Sequence, residues 1–533
     1  MKKRIPDRRQ GMLLPPSVDE YVGPRHRVRV IVEVVERLDL SGFHVGESDE
    51  GRPAYPPEIL VSLIFYAFSI GVFSAREMER RCQTDCAFMF ATAGLRPSHR
   101  SISRFRAANQ EELSRLFAQI VGVCRRVGLG NTSRVAIDGT RQHANASIDA
   151  HVRKEQLEKE LERIREDMKK MLGRAAQVDA EEDSNPGLAD GDDVVPERLE
   201  RKDTRAAAID VAVKELSTEA TGNAAAKTVA EEGHEETAAP SEEERHESLV
   251  KKQQRAQEIE EKLKELQQSG EMEANETDPD ARLQRFKEGS RPGYNAQIGV
   301  GGEDKIILAA DVTQDPGDKD QLITICDQVT ANTGEKPGVI TADSGYESGK
   351  NLAALSARGQ DAVIASACIK SAHKTRERTG FFQWVDFSYD ANQDQYICPA
   401  GRPLVRVGGE TYRERSVGKY QALDSCVGCR LKMRCTKSEK RTLKVLETTP
   451  LLLEMSKRRK LDRETDRHGA NRKVDVEPRF GHMKHNLRWK QFMRRGLAAC
   501  RSEFRILCAA VNLSALARWL ESQNLAVSQI PLN

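Results

Sequence analysis

Two apolar runs of strand-like length each end on an aspartate, and they lie far apart in the chain. Val135-Ala136-Ile137 leads into Asp138-Gly139-Thr140, and Gly338-Val339-Ile340-Thr341-Ala342 leads into Asp343-Ser344-Gly345-Tyr346. A third acid, Glu477, opens a basic helix-like segment, Val476-Glu477-Pro478-Arg479-Phe480-Gly481-His482-Met483-Lys484. Acids so widely spaced can converge only within a folded domain. An open α/β sheet places its ligand site at the carboxyl ends of its strands, which suits Asp138 and Asp343. Converged, the three carboxylates could hold two Mg²⁺ (or Mn²⁺) ions about 3.5–4 Å apart, the usual spacing for phosphodiester chemistry. Hard oxygen ligands suit such a cation and leave positions open for a substrate phosphate. Taken singly, each acid has a plainer reading. Asp138-Gly139 and Asp343-Ser344-Gly345 resemble strand-end turns, and Glu477 before Pro478 could complement a helix dipole. Their order, joined to a basic tract, favours catalysis.

The elements between the acids follow a definite order. A strand over 134–144 is followed by about 140 residues off the sheet. Strands resume at 294–300 and 306–312, separated by Gly301-Gly302-Glu303-Asp304, a hairpin signal. A helix over 319–331, the strand ending at Asp343, a helix near 350–358 and a strand over 361–365 complete the set. A three-strand antiparallel meander followed by alternating helix and strand is the order of an RNase H-like mixed sheet, so the fold class is α/β. Ahead of it, residues 26–130 read as a compact all-α domain, compatible with helix-turn-helix DNA binding and equally with an ordinary bundle. Its helix starts include Pro56-Pro57-Glu58 and a capping-box pattern at Ser74-Ala75-Arg76-Glu77. A further helix start at Ser101 runs toward Val127, and it carries Arg104 and Arg106.

The long departure from the sheet is acidic. Residues 151–290 carry 23 Lys/Arg against 37 Asp/Glu, a net of −14. Leu157, Leu161, Ile164, Met168 and Met171 form a heptad seam, repeated by Ala206, Ile209, Val213 and Leu216 and by Ala256, Ile259, Leu263 and Leu266. A projecting, coiled-coil-like helical insertion is expected, with disorder over the acidic stretches 179–193 and 218–247. It could be a solvated spacer, a dimerisation arm or a DNA-end contact. By contrast, residues 430–495 carry 21 Lys/Arg against 8 Asp/Glu, a net of +13, the polarity of a phosphate-binding surface.

Eleven Cys are too sparse for a disulfide scaffold. Cys426-x2-Cys429 is a chelating turn, with Cys435 just beyond and Cys398 upstream in Cys398-Pro399-Ala400-Gly401. Four thiolates could close a tetrahedral structural Zn²⁺ site in a small zinc-ribbon-like insertion. The alternative is a mixture of buried and free thiols. The longest uncharged apolar run, Ile59 to Phe73, is short for a membrane span and reads as a buried helix. No membrane partner and no signal peptide are expected, since Met1-Lys2-Lys3-Arg4 runs into Pro6, Asp7 and Arg8 without an apolar stretch. A cytoplasmic protein with reduced thiols is expected.

Taken in order, these residues resemble the bacterial insertion-sequence transposases of the DDE type. The resemblance is carried by Gln10-Gly11-Met12-Leu13-Leu14-Pro15-Pro16, Ser98-His99-Arg100-Ser101-Ile102-Ser103-Arg104-Phe105-Arg106, Asp138-Gly139-Thr140, Gly293-Tyr294-Asn295-Ala296-Gln297, Ala342-Asp343-Ser344-Gly345-Tyr346 and the Glu477 segment. Arg494-Arg495-Gly496 and Ala509-Ala510-Val511-Asn512-Leu513 extend it nearly to the end of the chain. A family signature, Tyr-x2-Arg-x3-Glu-x6-Lys, is met at Glu477 and Lys484. Its Arg position is Lys473, with Arg472 adjacent, and its Tyr position is Ala470.

The resemblance implies that Asp138, Asp343 and Glu477 bind two Mg²⁺ ions, that terminal inverted repeats are bound and cut, and that the freed 3′-hydroxyl joins target DNA. It implies a homodimer when two ends are held together, and a nucleoid-associated location. Lys484, at i+7 from Glu477, would share its helix face and touch a phosphate. Arg472, Lys473, Arg479, Arg488, Lys490, Arg494, Arg495, Arg104 and Arg106 would extend the DNA surface. Trp489 could stack on an unpaired base or sit in the core. The expected divisions are an N-terminal helical DNA-binding domain (1–130), a catalytic core (131–150 and 291–370), the acidic insertion (151–290), the Cys-rich insertion (371–445) and the Glu-bearing end of the core (446–533). A catalytically silent DNA-binding regulator or domesticated remnant, and a stand-alone RNase H-like nuclease, are the alternatives.

Overall fold

The computed structural model describes residues 17–44, 54–184, 242–270, 273–412, 415–424, 426–461 and 474–530. Two compact units are present: residues 146–280 form one, and the flanking segments form the other.

The larger unit begins with helices. The apolar run becomes the helix Pro57–Ser69, most of whose residues are buried. It stops before Gly71, whose φ of +78° is a backbone position that glycine occupies at little cost. Ala75–Thr84 starts at Ser74 as expected, yet the capping box does not form. Glu77 turns instead to Arg80 and Arg81, whose guanidinium groups pull its carboxyl down to about 2. The helix expected from Ser101 to Val127 is broken. Ser98 caps His99–Ala108, Asn109 leaves helical geometry, and Gln110–Arg126 follows.

The main sheet has six strands: β1 (Arg134–His143), β4 (Arg282–Phe286), β5 (Gly289–Gly301), β6 (Ile307–Thr313), β7 (Val339–Ala342) and β8 (Asp361–Ile364). Strand β5 is long enough to pair with both β4 and β6, and the path continues β5-β1-β7-β8. Antiparallel pairing joins β6 to β5 and β5 to β1, whereas β1, β7 and β8 run parallel. The architecture is mixed α/β. Gly139 lies inside β1, opposite Gln297, and makes no turn. The long helix Leu497–Gln523 is buried along most of its length and packs on β6, on Pro57–Ser69 and on Gln110–Arg126. Its buried Asn512 accepts from Ile307 N–H and donates to Ile307 C=O, so the backbone of β6 is satisfied there.

A second sheet has the order β13-β12-β11-β10-β9, entirely antiparallel: β9 (Ser388–Asp390), β10 (Gln395–Ile397), β11 (Pro403–Tyr412), β12 (Arg415–Ala422) and β13 (Thr442–Leu446). Phe387, Tyr396, Leu404, Tyr420, Leu443 and Val445 give it an apolar core of its own.

In the smaller unit, the helices Lys154–Ser184 and Glu242–Ser269 pack through Leu157, Leu161, Ala256, Ile259, Leu263 and Leu266. These are two of the three expected heptad seams. The third, Ala206 to Leu216, lies outside the described residues. The described parts of the two acidic stretches, 179–184 and 242–247, are helical, which corrects the expectation of disorder there. A short pair, β2 (His151–Arg153) with β3 (Glu273–Asn275), joins the two ends of this unit.

Candidate active site

The parallel register of β1 on β7 pairs Val135 with Ile340 and Ala136 with Thr341. Continued two residues further, the same register sets Asp343 level with Asp138 on the neighbouring strand. Asp138 lies in the middle of β1, and Asp343 directly follows the last residue of β7. Both are half-buried. Asp343 caps the tight turn Ser344–Tyr346, accepting from Gly345 N–H at 2.7 Å.

The Glu477 segment runs beside β1 and is fastened at both ends. Near its start, Asp475 makes a buried ion pair with Arg134 at 3.0 Å. Near its far end, the Lys484 ammonium donates to Thr140 Oγ1 at 2.7 Å and to the Arg141 carbonyl at 2.9 Å. Burial pulls the Lys484 pKa down. Residues 474–481 are helical, but His482–Asn486 form a π turn. That turn holds more residues than an α turn, so the i+7 relation between Glu477 and Lys484 no longer places them on one face. Glu477 is exposed on the helix between the two fastenings. The structure levels Asp138 with Asp343 but does not draw Glu477 in beside them. Among the described residues, no group of three or more His, Cys, Asp or Glu is gathered as a metal ligand set. The oxygen donors of Asp138 and Asp343 fit a hard divalent cation in kind.

The expected DNA-contacting residues divide sharply. Arg104, Arg488, Lys490 and Arg495 are exposed. Arg488 adopts φ +58°, and the turn it makes leaves Arg488 and Lys490 outside while Trp489 goes in. Trp489 is 1 % exposed and stacks on Phe504 with centroids 5.2 Å apart, so it is a core residue. Arg479 is spent on the β5–β6 turn, donating to Lys305 C=O at 2.6 Å, and burial brings its pKa down to about 10. Arg106 is 5 % exposed and pairs with Glu503 at 3.3 Å, while Arg494 donates to the Arg106 carbonyl at 2.9 Å. Arg106, Arg479 and Arg494 therefore hold the protein together internally. Arg472 and Lys473 lie outside the described residues.

One carboxylate beside the aspartates carries no sequence motif of its own. Asp318 accepts at Oδ1 from Asn295 and Gln297, both at 2.7 Å. It lies in the loop after β6, where Asp315-Pro316-Gly317-Asp318 reads from sequence as an ordinary turn.

Cys398, Cys426, Cys429 and Cys435 line one cavity, together with Phe382, Leu404 and Arg441. The Arg402 amide donates to Cys398 Sγ at 3.3 Å, and Cys429 N–H to Cys426 C=O at 3.1 Å. Burial, reinforced by the other three thiols, pushes the Cys435 thiol up. The four sulfurs share a cavity without closing into a ligand shell.

Two family models match the chain. The Transposase DDE domain covers residues 397–517, which include Glu477 and Lys484. The Transposase domain (DUF772) covers residues 16–108, the N-terminal helices. Both matches are to transposase domains, and together they support an insertion-sequence DDE transposase. Transposase domains imply a DNA-acting enzyme of a mobile element, and DDE transposase domains generally use divalent metals. No match was found among curated proteins or among solved structures. No helix among the described residues is long and apolar enough to cross a membrane.

Proposed function

We propose that the chain binds the terminal inverted repeats of its element, hydrolyses a phosphodiester at each end and transfers the freed 3′-hydroxyl into target DNA. The observation that supports this reading is the parallel β1–β7 register, Val135 with Ile340 and Ala136 with Thr341, which on continuation brings Asp138 level with Asp343. The order β6-β5-β1-β7-β8, in which β5 alone runs against the other four, supports an RNase H-like core. Asp138 and Asp343, with Glu477 completing the set, would hold Mg²⁺ or Mn²⁺ ions. When bound, such ions activate the attacking oxygen and neutralise charge at the phosphorus.

The chain's own residues supply the remainder. Lys484, fastened beside Thr140, places a cation one strand position pair beyond Asp138, where a scissile phosphate would lie. Arg488, Lys490 and Arg495 offer exposed charge along the same segment, and Arg104 does so on the N-terminal helices. Both chemical steps are displacements at phosphorus, so one site can serve both. Synapsis of two ends makes a homodimer the working assembly. In the cysteine cavity, the reading is a structural zinc site that tightens on binding.

The test is Mg²⁺-dependent cleavage and strand transfer on labelled terminal-repeat DNA, with Asp343→Ala alongside. End-specific cutting and joining, both lost in the variant, is the expected result. Cutting without joining would identify a nuclease. Specific binding without cutting would identify a regulator and reduce the three acids to structural roles.

A further inference from the structure

Three of the sequence motifs meet at Asp318. Asn295 and Gln297 stand two apart on β5, so they share one face of the sheet. Both are buried, and both donate to Asp318 Oδ1 at 2.7 Å. The Gln297 amide nitrogen donates to Asp318 Oδ1, which fixes which way the amide points. Gln297 Nε2 must face Asp318, which leaves Oε1 to accept from the buried Tyr346 hydroxyl. Tyr346 in turn closes the tight turn that Asp343 caps.

The same relay reaches Asp138. Gln297 pairs with Gly139, the next residue along β1. A methyl group on Gly139 would overlap Gln297 Nε2 and stand 2.7 Å from Asp318 Oδ1. One on Gly345 would stand 3.1 Å from Asp318 Oδ2 and 2.9 Å from Asp343 Oδ1. The two glycines that follow the two aspartates are therefore the spaces into which Asp318 fits.

We infer that Asp318 is a positioning residue: through Gln297 and Tyr346 it fixes the stretch of β1 bearing Asp138 and the turn bearing Asp343 at the spacing a shared divalent cation requires. The inference rests on the proposed metal-dependent function and specifies how that site is kept in register. Asp318 acts through its acceptor oxygen, holding two amides that together span the site.

The test measures Mn²⁺ binding to the full chain by the electron paramagnetic resonance of free Mn²⁺, alongside the Mg²⁺ dependence of end cleavage. Loss of an outer-shell partner typically weakens metal binding about 10–100-fold. Asp318→Ala and Tyr346→Phe are each expected to weaken Mn²⁺ by that factor. They should raise the Mg²⁺ concentration for half-maximal cleavage while leaving the KM for DNA unchanged. Asp318→Asn keeps an oxygen acceptor in place and should rescue most of the loss. Should Tyr346→Phe fail to fold, the Ala and Asn variants at 318 decide between them. Wild-type Mn²⁺ affinity in Asp318→Ala would overturn the inference, and so would an Asn variant as weak as the Ala variant. A wild-type chain that binds no Mn²⁺, or an Asp138→Asn variant that binds it unchanged, would overturn the metal-site reading itself.

Discussion

The Arg106–Glu503 pair provides a direct test of whether an arginine in a DNA-binding motif touches DNA. Both side chains are almost wholly buried, at 6 % and 1 % exposure, and their closest atoms are 3.3 Å apart. Glu503 also accepts from the backbone N–H groups of Met493 and Arg494, at 2.9 and 3.1 Å. Arg106 lies over the Phe68 ring, 5.3 Å from its centroid. Arg106→Met would keep most of the packing and leave Glu503 as a buried, uncompensated charge. Breaking a buried pair on one side costs about 3–5 kcal/mol. Burial already raises the Glu503 pKa, and Arg106 is the main charge holding it down. Without Arg106 it rises further, so the folded variant can take up a proton that the unfolded chain, with its lower pKa, does not hold. The stability this proton supplies is present at acid pH and is lost as pH rises through the folded value. The penalty should therefore be largest near pH 8 and shrink toward the ordinary carboxylate range. Arg106→Met/Glu503→Gln, which removes both charges, should recover more than half of the loss. Urea unfolding followed by Trp489 fluorescence reads this, since Trp489 stacks on Phe504, the neighbour of Glu503. Duplex binding by a folded Arg106→Met should match wild type, whereas Arg104→Ala should weaken it. Unchanged stability together with weakened DNA binding in Arg106→Met would refute the reasoning.

Gly71→Ala should destabilise the chain by about 1 kcal/mol or more in urea titration, because φ is +78° and the added methyl group would overlap the Leu487 carbonyl oxygen. Lys484→Met should reduce end cleavage while leaving non-specific duplex affinity nearly unchanged, as measured by anisotropy; equal losses in both would make Lys484 a general phosphate contact. Because burial lowers the Lys484 pKa, cleavage should fall with rising pH earlier than in a variant carrying arginine at 484. Metal analysis of the purified chain should find about one zinc per chain, lost in Cys429→Ser with a lower melting temperature; metal-free protein with four titratable thiols would identify the cavity as merely apolar.

Much of the sheet could be read in the sequence because β-branched and apolar runs of strand length, bounded by Gly and Asp, report directly on pairing. The places of Asp138 within β1 and of Asp343 just after β7 could be read for the same reason, since each follows such a run. Asp318 could not, because Pro316 and Gly317 beside it are ordinary turn chemistry and its partners come from another strand. The π turn at His482–Asn486 was hidden because helical spacing counts residues and does not report how many occupy each turn. Arg106 and Arg494 were misleading for a tertiary reason. A basic helix face looks solvated until its partner is known, and Glu503 lies 397 residues from Arg106. The five-stranded antiparallel sheet around the cysteines is hard to read in the sequence because β9 and β10 have three residues each, and β11 and β12 mix glycine and charged residues into their apolar alternation.

The β2–β3 clasp has a consequence for how the chain folds. Strands β1 and β5 are neighbours in the sheet, yet the whole 146–280 unit is threaded between them. Closing a loop costs about 0.6 kcal/mol more for each doubling of its length. If the helical unit forms first, pairing of His151 with Asn275 shortens the free chain between β1 and β4 from about 140 residues to about a dozen. That is roughly three doublings, or about 2 kcal/mol removed from the barrier to assembling the sheet. A substitution in the Leu157–Ile259 seam would then delay formation of the main sheet without touching a residue of it, and refolding time rather than final activity would record the damage.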